Sequence, residues 1–375
     1  MSSGCEGGRG PRSVCSKGGA VAKIAIAAGG TAGHVVPALA VADALRASGA
    51  EVEFVGGERA EAELVPAAGY PFHPLKVAGV DRRNPLRAAR AGALAVLATA
   101  RARGLLRQIG ADAVMGGGGY VAGPVGLAAR SLGLPLVLTE ADSHLGMANR
   151  MLARIAKRVF LAFPIEGREG ERYVLSGRPV PAGTGTADGA AARARLGIAP
   201  GELCLLVFGG SLGARRLNHA TVDAFGSTAP CAVLHVCGRR DHPELAARLE
   251  ELGAPAHYRL HAYVEPFADA LSAADLVAAR AGGSVLEVAA AGLPSILVPY
   301  PHATADHQTA NARYMESEGA AVVVPDDEVD GARLAHEVAA LIGSPQRMRA
   351  MAAAARAVAR PDAAQRIARE MLALV

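Results

Sequence analysis

One pattern occurs twice in this sequence, 180 residues apart. Lys23-Ile-Ala-Ile-Ala27 is followed by Gly29-Gly-Thr-Ala-Gly33 and then by helical spacing from His34 to Ser48. Leu203-Cys-Leu-Leu-Val-Phe208 is followed by Gly209-Gly-Ser-Leu-Gly213 and a second helical stretch. A short apolar run closed by glycines and opening a helix is what a parallel strand buried on both faces looks like. Two such units predict an α/β protein of two doubly wound, Rossmann-like domains. Further runs of the same kind fit this reading: Glu51–Val55, Ala113–Met115 and Leu136–Leu138, then Ala232–Val236, Leu276–Ala278, Ser295–Val298 and Ala321–Val324.

The densest Pro/Gly/polar stretch between the halves is Arg178-Pro-Val-Pro-Ala-Gly-Thr-Gly-Thr-Ala-Asp-Gly189, where we expect the boundary and a cleft. The expected division is a disordered Gly/Ser-rich tail over 1–20, one domain over 21–180 and a second over 181–361. A last helix over 362–375, set off by Pro361, is expected to pack back on the first domain. The tail lacks the apolar stretch of a secretory signal.

At 375 residues and 51% hydrophobic, the chain has ample material for two cores, which excludes a disordered or collagen-like protein. Its longest apolar helical run, Ala91–Ala100, is closed by Arg90 and Arg101 and is too short to span a bilayer. Cys5, Cys15, Cys204, Cys231 and Cys237 form no C-x-x-C pair, as expected of reduced thiols in a cytoplasm. The net charge of +4 conceals an asymmetry: residues 1–182 carry 22 Lys/Arg against 14 Asp/Glu, and residues 183–375 carry 17 against 21. The basic half is the one expected to meet an anionic surface. Within it, Arg82–Arg103 reads either as a solvated helix with an ordinary core face or as an apolar helix bracketed by arginines for docking on anionic lipid.

Three Gly-rich strand–helix turns, 29–33, 116–119 and 209–213, can present backbone N–H groups and a helix N-terminus to a phosphate, although each alone is equally a plain tight turn. None reads G-x-x-x-x-G-K-[ST], which disfavours a P-loop NTPase. The first is not G-x-G-x-x-G and no acid ends the second strand, which disfavours a dinucleotide redox enzyme. In Arg280-Ala-Gly-Gly-Ser-Val-Leu-Glu287, a glycine pair opens a helix with a carboxylate about one turn in. That depth suits a ribose diol, or simply an N-terminal glutamate favoured by the helix dipole. His302, Asp306, His307, Gln308 and Asn311 follow a strand end, where ligand groups sit in open sheets. We expect no metal there, because a polar loop is the commoner outcome and no D-x-D is present.

Taken together and in order, several segments resemble the MurG family of peptidoglycan glycosyltransferases. They are Gly29-Gly-Thr-Ala-Gly-His-Val-Val-Pro-Ala-Leu-Ala40, Gly117-Gly-Gly-Tyr-Val-Ala-Gly-Pro124, Gly209-Gly-Ser-Leu-Gly-Ala214, Glu287-Val-Ala-Ala-Ala-Gly-Leu-Pro294 and His307-Gln-Thr-Ala-Asn-Ala312. The resemblance runs from about Lys23 to the C-terminus. It implies a GT-B fold and inverting transfer of N-acetylglucosamine from UDP-N-acetylglucosamine (UDP-GlcNAc) to the 4-hydroxyl of N-acetylmuramic acid in lipid I, giving lipid II. It implies no cofactor, no essential metal and no nucleic acid, and a peripheral place on the anionic cytoplasmic face of the bacterial membrane.

On the donor side it implies Gly210 and Ser211 at the diphosphate, and Tyr263, Val264 and Phe267 at the uracil. Gly282, Gly283 and Ser284 would meet the β-phosphate and sugar, Glu287 the ribose, and His307, Gln308 and Asp142 the sugar. On the acceptor side it implies Gly30, Thr31, Ala32, Gly33, His34, Gly118, Gly119, Tyr120 and Arg178, with His34 or Asp142 as catalytic base. The chain departs from the family pattern at Ala32, at Thr139-Glu-Ala-Asp142 in place of H-E-Q-N, at Leu212, in a motif around Arg280 one residue shorter than the common form, and at Pro181, where an arginine is usual. Rival readings are another GT-B transferase, a UDP-sugar epimerase and a non-catalytic UDP-sugar-binding module.

Overall fold

The structure is a computed structural model that describes residues 21–77, 85–209 and 214–375, with the backbone alone at 85–93 and Thr304. The tail over 1–20, Arg82 and Arg83, and the loop residues Gly210, Ser211 and Leu212 lie outside the described residues.

The first half runs β1 (Lys23–Ala27), α1 (Ala32–Ala47), β2 (Glu51–Gly56), α2 (Ala60–Ala67), β3 (Phe72–Pro74), α3 (Pro85–Ile109), β4 (Ala113–Gly116), α4 (Ala122–Leu132), β5 (Leu136–Glu140), α5 (Met147–Leu152), β6 (Arg158–Leu161) and β7 (Tyr173–Leu175). The second runs α6 (Gly189–Arg195), β8 (Cys204–Phe208), α7 (Arg215–Phe225), β9 (Ala232–Val236), α8 (His242–Glu251), β10 (Tyr258–His261), α9 (Phe267–Ala273), β11 (Leu276–Ala279), α10 (Val285–Ala290), β12 (Ser295–Leu297), α11 (His307–Ser317), β13 (Ala321–Val323), α12 (Gly331–Ile342), α13 (Pro345–Val358) and α14 (Ala363–Leu372).

The strands make a seven-stranded sheet in the order 3-2-1-4-5-6-7 and a six-stranded sheet in the order 10-9-8-11-12-13. Every pairing is parallel. The central strands β4, β8 and β9 are buried along their whole length, as strands covered by helices on both faces must be. Strand order reverses between β1 and β4 in one sheet and between β8 and β11 in the other, so each sheet has one crevice at its carboxyl edge. The loops at 29–33 and 116–119 flank the first crevice, and the end of β8 and the turn at 280–284 flank the second.

Two features join the halves. Phe163, just after β6, is fully buried among Ala281, Leu286, Ala312 and Met315 of the second half, with its ring edge-on to Tyr314 at 5.6 Å. The chain also crosses twice at one place, because Gly177 has a φ of +79° and its α-carbon lies against the side chain of Arg360. Beyond that crossing, α14 lays Ala364, Ile367, Ala368 and Met371 into the core formed by Ile24, Val41 and Leu45 of the first half. The C-terminal helix therefore packs on the N-terminal domain. The strong apolar stripe of Ala363-Ala-Gln-Arg-Ile-Ala-Arg-Glu-Met-Leu372 has that face as its partner.

In the second half a buried polar network supports α7, the helix that follows the 209–213 loop. His235 Nδ1 meets the Tyr258 hydroxyl at 2.7 Å and its Nε2 meets Asn218 Oδ1 at 3.0 Å, while Asn218 Nδ2 donates to the Cys237 carbonyl and to Asp241. Burial pushes the His235 pKa down to about 3, so the folded protein keeps this imidazole neutral where the unfolded chain takes a proton. The stabilisation is complete above about pH 6.5 and is lost as pH falls from there toward 3. Relative to His235→Gln, the native protein is expected to lose about 1.4 kcal/mol per pH unit between pH 6 and 4. Urea denaturation of both proteins at several pH values measures this, and parallel pH profiles would contradict it.

Candidate functional site

The two glycine loops of the first half pack against one another. Gly118 and Gly119 have φ of +90° and +77°, and a Cβ at 119 would lie 1.9 Å from the Gly29 carbonyl oxygen, so only glycine fits there. A Cβ at 118 would lie 2.8 Å from Nδ1 of His34, which sits in the first turn of α1. Beneath them is Glu61 of α2, fully buried, which accepts from the N–H groups of Gly30 (2.8 Å) and Gly57 (2.9 Å) and from the Tyr120 hydroxyl (3.0 Å). One carboxylate thereby ties three loops together. It also occupies the Gly30 N–H that the sequence assigns to a phosphate, and the Tyr120 hydroxyl as well. Thr31, Ala32 and Gly33 remain accessible at the start of α1.

Glu140, at the end of β5, holds the next loop in the same manner. It accepts from Gly146 N (2.8 Å), Asn149 Nδ2 (2.9 Å) and Asp142 N (3.3 Å), and burial raises its pKa to about 7 against those hydrogen bonds. The loop so fixed carries Asp142, Ser143 and His144. Burial lowers the pKa of His34; the charge of Asp142 opposes that shift, and Arg178 and His307 add to it. His34 is accordingly a neutral imidazole at pH 7, with Nδ1 buried and lacking a hydrogen-bond partner.

On the facing side, Gly282, Gly283 and Ser284 lead into the short helix α10, with Glu287 in its first turn. Burial raises the Glu287 pKa and Arg178 opposes this. Arg178 is itself buried. Its Nη2 donates to the Gly33 carbonyl at 3.1 Å, its Nε lies 3.6 Å from Glu287, and a Cβ on Gly283 would fall 2.4 Å from its Nη1. The residue assigned from sequence to the acceptor side therefore touches both halves. Gln308 Oε1 accepts from Tyr300 N at 2.9 Å, and a Cβ on Gly282 would lie 4.0 Å from its Nε2. Asn311 donates to the Ala281 carbonyl, fixing the loop before α10 from the α11 side. Val264 is buried, Phe267 stands edge-on to Phe208 at 5.0 Å, and Tyr263 is exposed within electrostatic reach of Glu287.

The structure thus brings His34, Asp142, Arg178, Glu287 and His307 to one cleft. Gly210 and Ser211 lie outside the described residues. Among the described residues, no three His, Cys, Asp or Glu side chains come together as a metal-binding group. Sequence reasoning missed the roles of Glu61, Glu140 and His144. Arg59-Ala-Glu-Ala-Glu63 reads as an exposed helix start, and nothing in it marks Glu61 as the buried member.

Glu61→Ala leaves three donors without their acceptor. It is expected to destabilise the first domain by about 2–5 kcal/mol and to speed amide exchange at Gly30 and Gly57. Urea denaturation with hydrogen exchange measures both, and native-like protection at those two amides would contradict the tie.

Residues 24–161 match the glycosyltransferase family 28 N-terminal domain, and residues 204–367 match the glycosyltransferase family 28 C-terminal domain. The UDP-N-acetylglucosamine--N-acetylmuramyl-(pentapeptide) pyrophosphoryl-undecaprenol N-acetylglucosamine transferase of Methylococcus capsulatus is 43% identical over 355 residues, covering 93% of this chain and 98% of that protein. Among solved structures, MurG of Acinetobacter baumannii superposes with a TM-score of 0.76 at 34% identity, covering 94% of this chain and all of that one. The glycosyltransferase of kitacinnamycin, at TM-score 0.72, 17% identity and 95% coverage of this chain, shares the fold.

Proposed function

The chain belongs to glycosyltransferase family 28, in its MurG branch, and on that premise we propose that it transfers N-acetylglucosamine from UDP-GlcNAc to the 4-hydroxyl of the N-acetylmuramic acid of lipid I, giving lipid II. The observation that carries this reading is the meeting of two switch-point crevices, with His34 and Asp142 on one side and Glu287 and His307 on the other. A transferase joining two phosphate-bearing substrates needs such a pair of facing sites.

In this reading the acceptor hydroxyl oxygen attacks the anomeric carbon. The bond from that carbon to the UDP oxygen breaks with inversion, and UDP leaves with the electron pair. The neutral imidazole of His34 takes the hydroxyl proton, and Asp142 stabilises the imidazolium that forms. Arg178 and the N-terminal turn of α10 face the charge that grows on the leaving diphosphate. Glu287 receives the ribose hydroxyls, His307 and Gln308 the sugar, and Tyr263, Val264 and Phe267 the uracil. Gly210, Ser211, Gly282, Gly283 and Ser284 meet the donor phosphates and sugar, and Thr31, Ala32, Gly33, Gly118 and Gly119 the acceptor pyrophosphate. In this reading the guanidinium of Arg178 and backbone N–H dipoles stabilise the leaving diphosphate, and the reaction is expected to proceed in EDTA.

No helix among the described residues is long and apolar enough to cross a membrane. Val96 and Leu97 of α3, Leu127 of α4, and Met147 and Met151 of α5 are exposed on three helices packed in sequence, α3 on α4 and α4 on α5. Arg101, Arg130, Arg150 and Arg154 are exposed on or beside the same helices. This combination supports docking of the first domain on the anionic cytoplasmic membrane surface, where a lipid-linked acceptor resides.

UDP release from UDP-GlcNAc in EDTA, with and without a soluble lipid I analogue, tests the reaction; release independent of the acceptor would overturn it. His34→Ala is expected to lower kcat by about 10²–10⁴-fold. In the native enzyme, kcat/KM should fall as pH drops below His34's depressed pKa. Near-native turnover in both His34→Ala and Asp142→Ala would remove the base assignment. Leu97→Asp with Met151→Asp should weaken sedimentation with anionic vesicles while leaving turnover on a soluble acceptor intact.

A further inference from the structure

His307 opens α11, and across the cleft it meets the 141–146 loop of the other half. The His144 ring stacks on the His307 ring, with centroids 5.8 Å apart and planes inclined by 25°. The neighbouring Ser143 hydroxyl donates to the His307 carbonyl at 3.4 Å. The loop that supplies both contacts is not free to follow its partner, because Glu140 grips it at Asp142, at Gly146 and at Asn149. His144 Nδ1 is buried without a hydrogen-bond partner, so the ring is placed by the stack and not by a polar tether of that nitrogen.

We propose that Ser143 and His144 form a clip between the two halves that sets the position of His307, making His144 a positioning residue for sugar transfer. The inference rests on the reading of His307 as a residue at the donor sugar. It gives the 141–146 loop a role of its own: the segment that brings Asp142 to His34 also holds the sugar-facing turn of the opposite domain against them.

The clip depends on pH. His144 faces Asp142 on its own loop, Arg150 of α5 and His307 of α11, while His307 also faces His34 of α1, which lies among Asp142, Arg178 and Glu61. Burial holds the His144 pKa below its ordinary value, Asp142 opposes that shift, and His307 and Arg150 add to it. A neutral His144 ring stacks favourably on the His307 ring, whereas a protonated one carries its charge into a site where burial disfavours it. Protonation of His144 therefore weakens the clip, and the contact is stronger at neutral pH than in acid.

The test compares His144→Ala with His144→Phe in the full chain. The alanine variant is expected to raise KM for UDP-GlcNAc by about three- to tenfold, with a smaller change in kcat. The phenylalanine variant keeps a ring on His307. It should hold KM within about twofold of native and keep that KM to lower pH than the native enzyme does. Native KM in both variants, or equal loss in both, overturns the proposal. A second measurement needs no turnover: the His144 ring is followed by NMR titration in the native chain and in His307→Phe. Its midpoint should rise in the variant, because a ring that opposes its protonation has been removed. An unmoved midpoint overturns the clip whatever the kinetics show. Failure of acceptor-dependent UDP release in the native enzyme, with the midpoint moved, overturns the proposed reaction and leaves the interdomain contact standing.

Discussion

A buried guanidinium needs an acceptor and a counter-charge, and Arg178 finds them in different domains: it donates to the carbonyl of Gly33 at 3.1 Å and pairs with the carboxylate of Glu287 at 3.6 Å. The rest of the cleft depends on this contact. Parallel sheets place all their strand carboxyl ends on one edge, so each half of the molecule has a single face able to host a ligand. Two such faces make one site only when something holds them in register. Arg178 does so at the polar centre, and Phe163 does so nearby through apolar burial among the residues around α10 and α11. The missing Cβ of Gly283 is the steric condition for the guanidinium to lie where it does. The Gly-Gly pair before α10 thus serves the joint as well as any phosphate.

Buried carboxylates hold the loops on the first-domain side. Glu61 and Glu140 each accept three hydrogen bonds, most of them from backbone N–H groups of turns that would otherwise be loose. Rigidity of this kind limits how a glycine-rich loop can be used. An N–H already donating to Glu61 is not available to a phosphate, so accessible positions such as Thr31 to Gly33, together with the start of α1, are better suited to that task than Gly30. Glycine richness allows the chain to approach closely; which N–H groups remain available depends on what lies beneath the loop.

This explains how far the sequence could be read. The central strands were legible because burial on both faces leaves an unbroken apolar run, as in Cys204-Leu-Leu-Val-Phe208. The runs Phe72-His-Pro74, Arg158-Val-Phe-Leu161, Tyr173-Val-Leu175 and Tyr258-Arg-Leu-His261 were not picked out, being short or mixed with polar residues; three of them are sheet edges and only β6 lies inside. The ten apolar residues from Ala91 are the middle of a helix that continues to Ile109, carried on by residues whose apolar spacing is diluted with arginine. The glycine loops and Glu287 could be found because they lie in motifs. Glu61 and His144 could not, because their roles arise from contacts with residues distant along the chain, Gly30 at 31 residues and His307 in the other half.

The departures from the family pattern gain a physical meaning when placed on this cleft. An acid at position 142 puts negative charge beside substrates that are themselves anionic, a cost that an amide there avoids. The structure sets His34 and His144 within electrostatic reach of that acid, and Arg178 beside His34, so an added carboxylate is matched by imidazoles able to share its charge. In return the acid raises the proton affinity of His34 and His144 against burial, which lowers it. One substitution in the 139–142 segment therefore bears on His34 and on the interdomain stack together, because Asp142 and His144 stand on one loop that Glu140 holds.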